Sequence, residues 1–256
     1  MKRVVVVSDL HCGHFAGLTP PAWQVSEARN PALAAMQREC WKWYEAALSA
    51  LQPIDWLVCN GDAIDGKGNR SGGVELITAD LEEQASMATA CLKTATARNH
   101  LVIYGTPYHV ASDGQDYEGH IAREVGGRIG GHEWLEIEGV VFDLKHKVGG
   151  SSVPHGRHTA VARERLWNVL WSDQNMAHRS DVLIRSHVHY HTYSGGTDFL
   201  AMTTPALQGP GSTYGVRQCS GVVDFGFVEF RCEGGHYEWQ AHTLRIRAAR
   251  PKLIKA

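Results

Sequence analysis

Five short apolar runs, rich in β-branched residues, punctuate the chain, and each ends abruptly in carboxylate or imidazole side chains. Val4-Val5-Val6-Val7 leads into Ser8-Asp9-Leu10-His11, and Trp56-Leu57-Val58-Cys59 into Asn60-Gly61-Asp62-Ala63-Ile64-Asp65. Leu101-Val102-Ile103-Tyr104 leads into Gly105-Thr106-Pro107-Tyr108-His109, and Val140-Val141-Phe142-Asp143-Leu144 into Lys145-His146. Asp181-Val182-Leu183-Ile184 leads into Arg185-Ser186-His187-Val188-His189. Runs of this length and composition predict strands. Between them the apolar spacing lengthens to three and four: Leu33, Met36, Cys40, Trp43, Ala47 and Leu51 predict a helix over 31–51. Further helices are expected over 75–98, near 116–125 and over 158–178. Gly17 with Pro20-Pro21, and the Gly-rich stretch 66–73, read as loops. Glu138-Gly139 signals a tight turn between strands at 133–137 and 140–145. From 197 to 246 the runs are strand-like with no helix between them, and we expect antiparallel strands completing a second sheet. The expected fold is α/β, with two packed mixed β-sheets flanked by helices in one domain, 1–256. In open α/β sheets ligands bind beyond the carboxyl ends of the strands. Five ends tipped with Asp or His therefore describe one polar pocket suited to metal ions.

Composition narrows the chemistry. Of 256 residues 43% are hydrophobic, ordinary for a globular core, and the formal net charge of −2 gives no strongly basic surface for nucleic acid. Fifteen His are many, and fit a metal site. The run after Met1-Lys2-Arg3 is too short for a signal-peptide core or a membrane span, so no membrane association is expected. The six Cys are scattered with no C-x-x-C pair and read as reduced thiols in a cytoplasmic protein. No P-loop, G-x-S-x-G or helical H-E-x-x-H string is present.

Asp9 and His11 stand two residues apart beyond a strand end. If the strand pleat continues, both face one side and can share an ion; a polar loop with a capping Asp is the other reading. A carboxylate with an imidazole suits Zn, Mn, Fe or Ni better than Ca or Mg. Gly61 permits a tight turn, Asp62 has oxygens for two ions, and Asp65 is placed to orient a ligand or cap the turn. His187 and His189 repeat the two-residue spacing. His191 continues it as a bystander, and His146 ends a strand of its own.

Taken in order, these residues resemble the calcineurin-like metallophosphoesterase superfamily, whose signature runs D-x-H, GD-x-x-D, GNH, a lone His and GH-x-H. The resemblance covers residues 9–189 and implies a two-metal site, Mn²⁺ favoured with Fe, Zn or Ni as alternatives. One ion would take Asp9, His11, Asp62 and His189. The other would take Asp62, His146, His187 and a third-motif residue. Ser186 replaces the Gly that usually precedes the final His pair.

The third motif departs from the pattern. The spelling Asn99-His100 precedes its strand, and at about 3.3 Å per residue it lies more than roughly 10 Å from the pocket. It is therefore rejected. In the aligned frame Thr106 replaces Asn as the third-motif metal residue. Its hydroxyl is a poor direct ligand that could bind through water or hydrogen-bond the substrate, which puts affinity at the second metal in doubt, and His109 follows three residues later. A tight turn at Pro107 would bring His109 back to protonate the leaving oxygen. The form resembles phage-type members of the superfamily, G-T-x-x-H followed by a Gly-Ser run, here Gly149-Gly150-Ser151-Ser152. Asp65 would hold a ligand His in its tautomer. His14 is a candidate substrate contact or a surface residue. Arg157, with His155, His158, Lys145 and Lys147, forms either a phosphate-binding rim or a solvated loop. Asp113, Asp116 and Glu118 make an acidic patch that can cap the following helix.

The expected activity is metal-dependent phosphoester hydrolysis on a phosphodiester, with nucleotide or nucleic acid as partner and nuclease action included. A phosphomonoesterase with the same ligands, a mononuclear metal protein and a non-catalytic interaction module are the rivals. Oligomeric state is open.

Overall fold

The computed structural model describes residues 1–69, 71–109, 115–212, 214 and 222–247. Six strands form the first sheet: β1 (Lys2–Val7), β2 (Trp56–Asn60), β3 (Asn99–Ile103), β4 (Arg128–Gly130), β10 (Phe225–Glu233) and β11 (His236–Leu244), in the order β11-β10-β1-β2-β3-β4. Five form the second: β5 (His132–Ile137), β6 (Val140–Lys145), β7 (Val182–Arg185), β8 (Thr192–Gly195) and β9 (Leu200–Thr203), in the order β5-β6-β7-β9-β8. Both sheets are mixed, β1 to β4 and β6-β7-β9 being the parallel parts. The expected α/β architecture of two mixed sheets flanked by helices is present.

The Val4–Val7 run explains the layering. Val4 and Val6 pack between the sheets with Val58, Ile103, Phe142, Ile184 and Phe230. Val5 and Val7 face the other way, onto α1 (Pro31–Ala50) and α2 (Leu81–Lys93) through Tyr44, Leu48, Ala88 and Leu92. A central parallel strand is buried on both faces and so reads as unbroken apolar sequence. Each fully buried Val there contributes about 1.5–3 kcal/mol. On the outside of the second sheet, α4 (Gly156–Asp173) lays Val161 on Leu183 and Ala201. Among the described residues no helix is long and apolar enough to cross a membrane.

Several boundaries differ from the sequence expectation. The second helix begins at Leu81, not near 75, because the Asp80 side chain accepts the Glu82 and Glu83 N–H groups. Residues ahead of it are held elsewhere: Ile77 N–H donates to Gly13 O at 2.7 Å. The last helix, α4, stops at Asp173 rather than near 178. A short helix, α3 (Tyr117–Glu124), is capped by Asp116, whose Oδ1 accepts Gly119 N–H at 2.7 Å. Asp113 lies outside the described residues. The tail strands β10 and β11 are antiparallel as expected but extend the first sheet, not the second. β10 pairs with β1, and its Phe225 and Phe227 pack beside Trp43 of α1. The second sheet is completed by β9, which runs parallel to β7, and by β8. The short β4 has too little sequence to carry a period.

Candidate metal centre

The expected ligands lie beyond the carboxyl ends of β1, β2, β6 and β7, and they meet. Asp9, His11 and His189 offer donor atoms within 4.8 Å of one another, as do Asp62, His146 and His187, and His11, Asp62 and His109. His189 Nε2 is 3.3 Å from Asp9 Oδ1 and 3.2 Å from His11 Nε2. His146 Nε2 is 3.0 Å from Asp62 Oδ2, and His187 Nδ1 is 3.8 Å from the same oxygen.

What aims these side chains is not the strand pleat. β1 has ended at Val7 and β7 at Arg185, so the pleat argument for Asp9 and His11, and for His187 and His189, does not hold. Asp9, His11, Asp62, His187 and His189 all have φ between 45° and 73°. Asp and His are among the few residue types that tolerate this left-handed region. Each such residue stores roughly 1–2 kcal/mol of strain. The strain is held by cross-links between loops: Asp9 N–H donates to Gly61 O and His11 N–H to Asp62 O, both at 3.0 Å. His187 N–H donates to Asp9 Oδ2 at 3.2 Å. Two glycines leave room for the ligands, since a Cβ on Gly61 would strike the His146 ring and one on Gly105 the Asp62 carboxylate.

Neighbouring groups fix the ring orientations. Asp65 Oδ1 accepts from His11 Nδ1 at 3.0 Å, and Asn60 O accepts from His146 Nδ1 at 2.6 Å, turning both Nε2 atoms inward. Burial pushes the His11 imidazole down to about 4. Burial acts the same way on His146, but the Asp62 charge outweighs it and holds that ring up at about 10. Asp62 and Asp9 are fully buried, which disfavours their charge, yet the surrounding imidazoles keep both carboxyls below the usual range. Asp9 Oδ1 and His146 Nε2 nevertheless meet these imidazole and carboxylate neighbours without hydrogen-bond geometry.

Thr106 touches Asp62. Its N–H donates to Asp62 Oδ1 at 2.6 Å, and its hydroxyl lies 3.2 and 3.4 Å from the two carboxylate oxygens. His109 is carried back by a turn in which its N–H donates to Thr106 O at 3.0 Å. Its Nδ1 donates to Asp65 O at 2.6 Å, and its Nε2 stands 3.7 Å from Asp62 Oδ2. Asn99 and His100 open β3 at the far end from the pocket, Asn99 N–H donating to Asp55 O. His14 lines the pocket with Nε2 3.3 Å from Glu75 Oε2. Arg157 is not among the lining residues; its guanidinium sits 4.0 Å from the Tyr190 ring centre. His191 is turned away, its Nδ1 donating to Thr203 O.

Several pocket residues carry no short-range signal in the sequence. The turn after β9 supplies Gln208, Ser212 and Tyr214, whose hydroxyl donates to His187 O at 2.8 Å. Glu118 of α3 is buried behind the third motif, where its carboxylate accepts Gly105 N–H at 2.9 Å and Ala63 N–H at 3.4 Å, and burial pushes its carboxyl up to about 7. Gln84 of α2 holds Gly66 through both its N–H and its O, each at 2.9 Å. A helix period reports only that Glu118 and Gln84 face inward, not what they meet there.

No family model and no curated protein matches the chain. Among solved structures it is similar to Vps29 of Entamoeba histolytica complexed with zinc, at 14% identity and TM-score 0.44, covering 94% of this chain and 98% of that one. It is similar to an archaeal phosphodiesterase at 14% identity and TM-score 0.45, covering 94% and 99%. It is similar to the purple acid phosphatase PPD1 of yellow lupin seeds at 13% identity and TM-score 0.49, covering 100% of this chain and 57% of that one. These likenesses are distant, and what the pocket can do is decided by its own side chains.

Proposed function

We propose that this chain is a metal-dependent phosphoester hydrolase that favours phosphodiesters, including nucleotides or nucleic acid. The observation that carries the reading is the pair of buried carboxylates, Asp9 and Asp62, set among inward-turned imidazoles with Asp9 Oδ1 and His146 Nε2 lacking hydrogen bonds. Buried polar atoms are seldom left this way unless an ion or water completes them. The mixed carboxylate and imidazole donor set suits Mn, Fe, Zn or Ni, with Mn²⁺ our first choice. Asp9, His11, Asp62 and His189 would hold one ion, and Asp62, His146 and His187 a second, Asp62 being shared. Divalent ions bound there would polarise a phosphate and lower the pKa of a water.

The remaining roles belong to the chain. His109 donates from Nδ1 to Asp65 O, which turns Nε2 to the pocket, and in its imidazolium form the ring would give the Nε2 proton to the departing oxygen and keep the one on Nδ1. Asp65 thus orients two rings, His11 through its carboxylate and His109 through its carbonyl. Thr106, hydrogen-bonded to Asp62, fixes the rotamer of the shared carboxylate. Lys147 is the only Lys or Arg among the described residues lining the cavity. Beside the ions it would add one further positive charge and no basic cluster to grip a second phosphate charge, which supports the diester.

The test is a substrate panel with Mn²⁺: bis-p-nitrophenyl phosphate, p-nitrophenyl phosphate, a 2′,3′-cyclic nucleotide, and single- and double-stranded DNA. We expect the diesters to turn over faster, and Asp62→Asn to abolish turnover. Preference for the monoester would replace the diesterase reading. Purified protein that takes up no Mn, Fe, Zn or Ni would replace catalysis with an interaction role.

A further inference from the structure

The outward face of α4 carries a pattern that neither the pocket nor the core uses. The helix buries Ala160, Val161, Arg165 and Asn168 on the second sheet. Its opposite face leaves Leu166 59%, Leu170 41% and Trp167 48% exposed. Large apolar side chains grouped this way on one helix face mark an interaction surface more often than chance exposure. Arg163 and Asp173, both exposed, bracket the two leucines along the same stripe. Read along the helix the stripe runs cation, Leu, Leu, anion. Arg163 and Asp173 are centred on position 168, and so are Leu166 and Leu170.

That symmetry selects a partner. In a two-fold contact, residue i meets j and j meets i. If a second α4 lies antiparallel across the first with the axis passing at position 168, Leu166 faces Leu170 of the other copy. Arg163 then faces Asp173 at both ends of the contact, about 15 Å apart along the axis at ~1.5 Å per residue. A parallel arrangement would set Arg163 against Arg163 and Asp173 against Asp173. We propose that the outward face of α4 is the contact between two copies of this chain, packed as an antiparallel helix pair around Leu166 and Leu170. Trp167, stacked on Trp171 at 5.8 Å between ring centres, flanks the contact as a rigid apolar shoulder. The contact lies on the outside of the second sheet and needs no residue of the metal centre.

Sedimentation equilibrium of the full chain, from about 1 to 100 µM, tests this. Dimer mass is expected for the unaltered chain, and monomer for Leu166→Glu with Leu170→Glu at unchanged circular dichroism. Arg163→Asp and Asp173→Arg should each weaken association about tenfold, and together restore it, since the swapped charges meet again. The unaltered chain running as a monomer throughout that range would overturn the proposal. So would a dimer that survives the double glutamate variant, or a double charge swap no better than either single change.

Discussion

Two clusters of buried charge, one in the second sheet under α4 and one beyond the strand ends of both sheets, are built differently. Beneath α4, Arg185 is fully buried with Nη1 2.7 Å from Asp143 Oδ1 and Nε 2.7 Å from Glu164 Oε2. His132 and Asn168 add further hydrogen bonds to Asp143, and Lys145 lies 3.5 Å from Glu164. Only Arg185 Nη2 is left over. At the pocket the carboxylates meet imidazoles instead of guanidinium, and Asp9 Oδ1 and His146 Nε2 have no hydrogen bond. The first cluster holds fixed opposite charges that neutralise one another whatever is bound. The second gathers carboxylate and imidazole donors that could hold a metal ion. Burying charge at both places costs several kcal/mol per ion. What differs is the partner: a fixed guanidinium in the first, imidazoles that can also bind an ion in the second.

Predictions that break the comparison follow from this. Asp62→Asn should lower kcat by at least about a thousandfold and remove metal uptake while leaving the fold intact; steady-state kinetics and elemental analysis decide it. Asp143→Asn should do the reverse, with metal uptake retained and stability reduced by about 3 kcal/mol, since the buried Arg185 then keeps only Glu164 as a charged partner. Urea unfolding measures that loss. The same pair carries a pH signature. Burial would raise the Asp143 carboxyl, but the His132 hydrogen bond and the Arg185 charge hold it at about 2, below its ordinary 3.8. A depressed folded-state pKa contributes stability that is full above the ordinary value and is lost as pH falls from about 4 towards 2. In Asp143→Asn that part of the acid sensitivity should disappear from the melting curve.

Smaller changes sharpen the contrast. Adding Mn²⁺ at about a hundred times its dissociation constant should stabilise the unaltered chain by about 2.7 kcal/mol and Asp62→Asn by far less; differential scanning fluorimetry reads this. Thr106→Val removes the hydroxyl that steadies Asp62, and should cost about tenfold in kcat/KM, roughly one hydrogen bond to a charged group. Arg157→Ala should change stability by only about 0.5–1 kcal/mol and leave KM near its starting value, because the guanidinium packs on Tyr190 and does not line the pocket.

How legible the site was depended on the kind of residue. His146 and the Asp9, Asp62, His187 and His189 positions were visible because they follow apolar runs whose ends mark the strand termini. The same logic removed Asn99-His100, which begin β3 beside Asp55. The two-residue spacings do not rest on the strand pleat: left-handed backbone turns Asp9 with His11 and splits His187 from His189 between two donor groups. Gln84, Gln208 and Tyr214 were not legible, since each reaches the site from a distant element by packing alone, and Glu118, expected in an acidic cap, instead turns inward to accept Gly105 N–H. The tail strands were recognised as strands, but their partner sheet depends on long-range pairing that no local pattern encodes.

By itself, then, the sequence determined the order of the longer elements, the two-sided burial of Val4–Val7 and the residue types at the strand ends, because each rests on short-range periodicity. Only the tertiary structure decided which sheet takes β10 and β11, how strained turns aim the candidate ligands, and which distant side chains prop them. Those depend on loops that lock one another through hydrogen bonds between residues far apart in the chain, as when His187 N–H reaches Asp9 Oδ2.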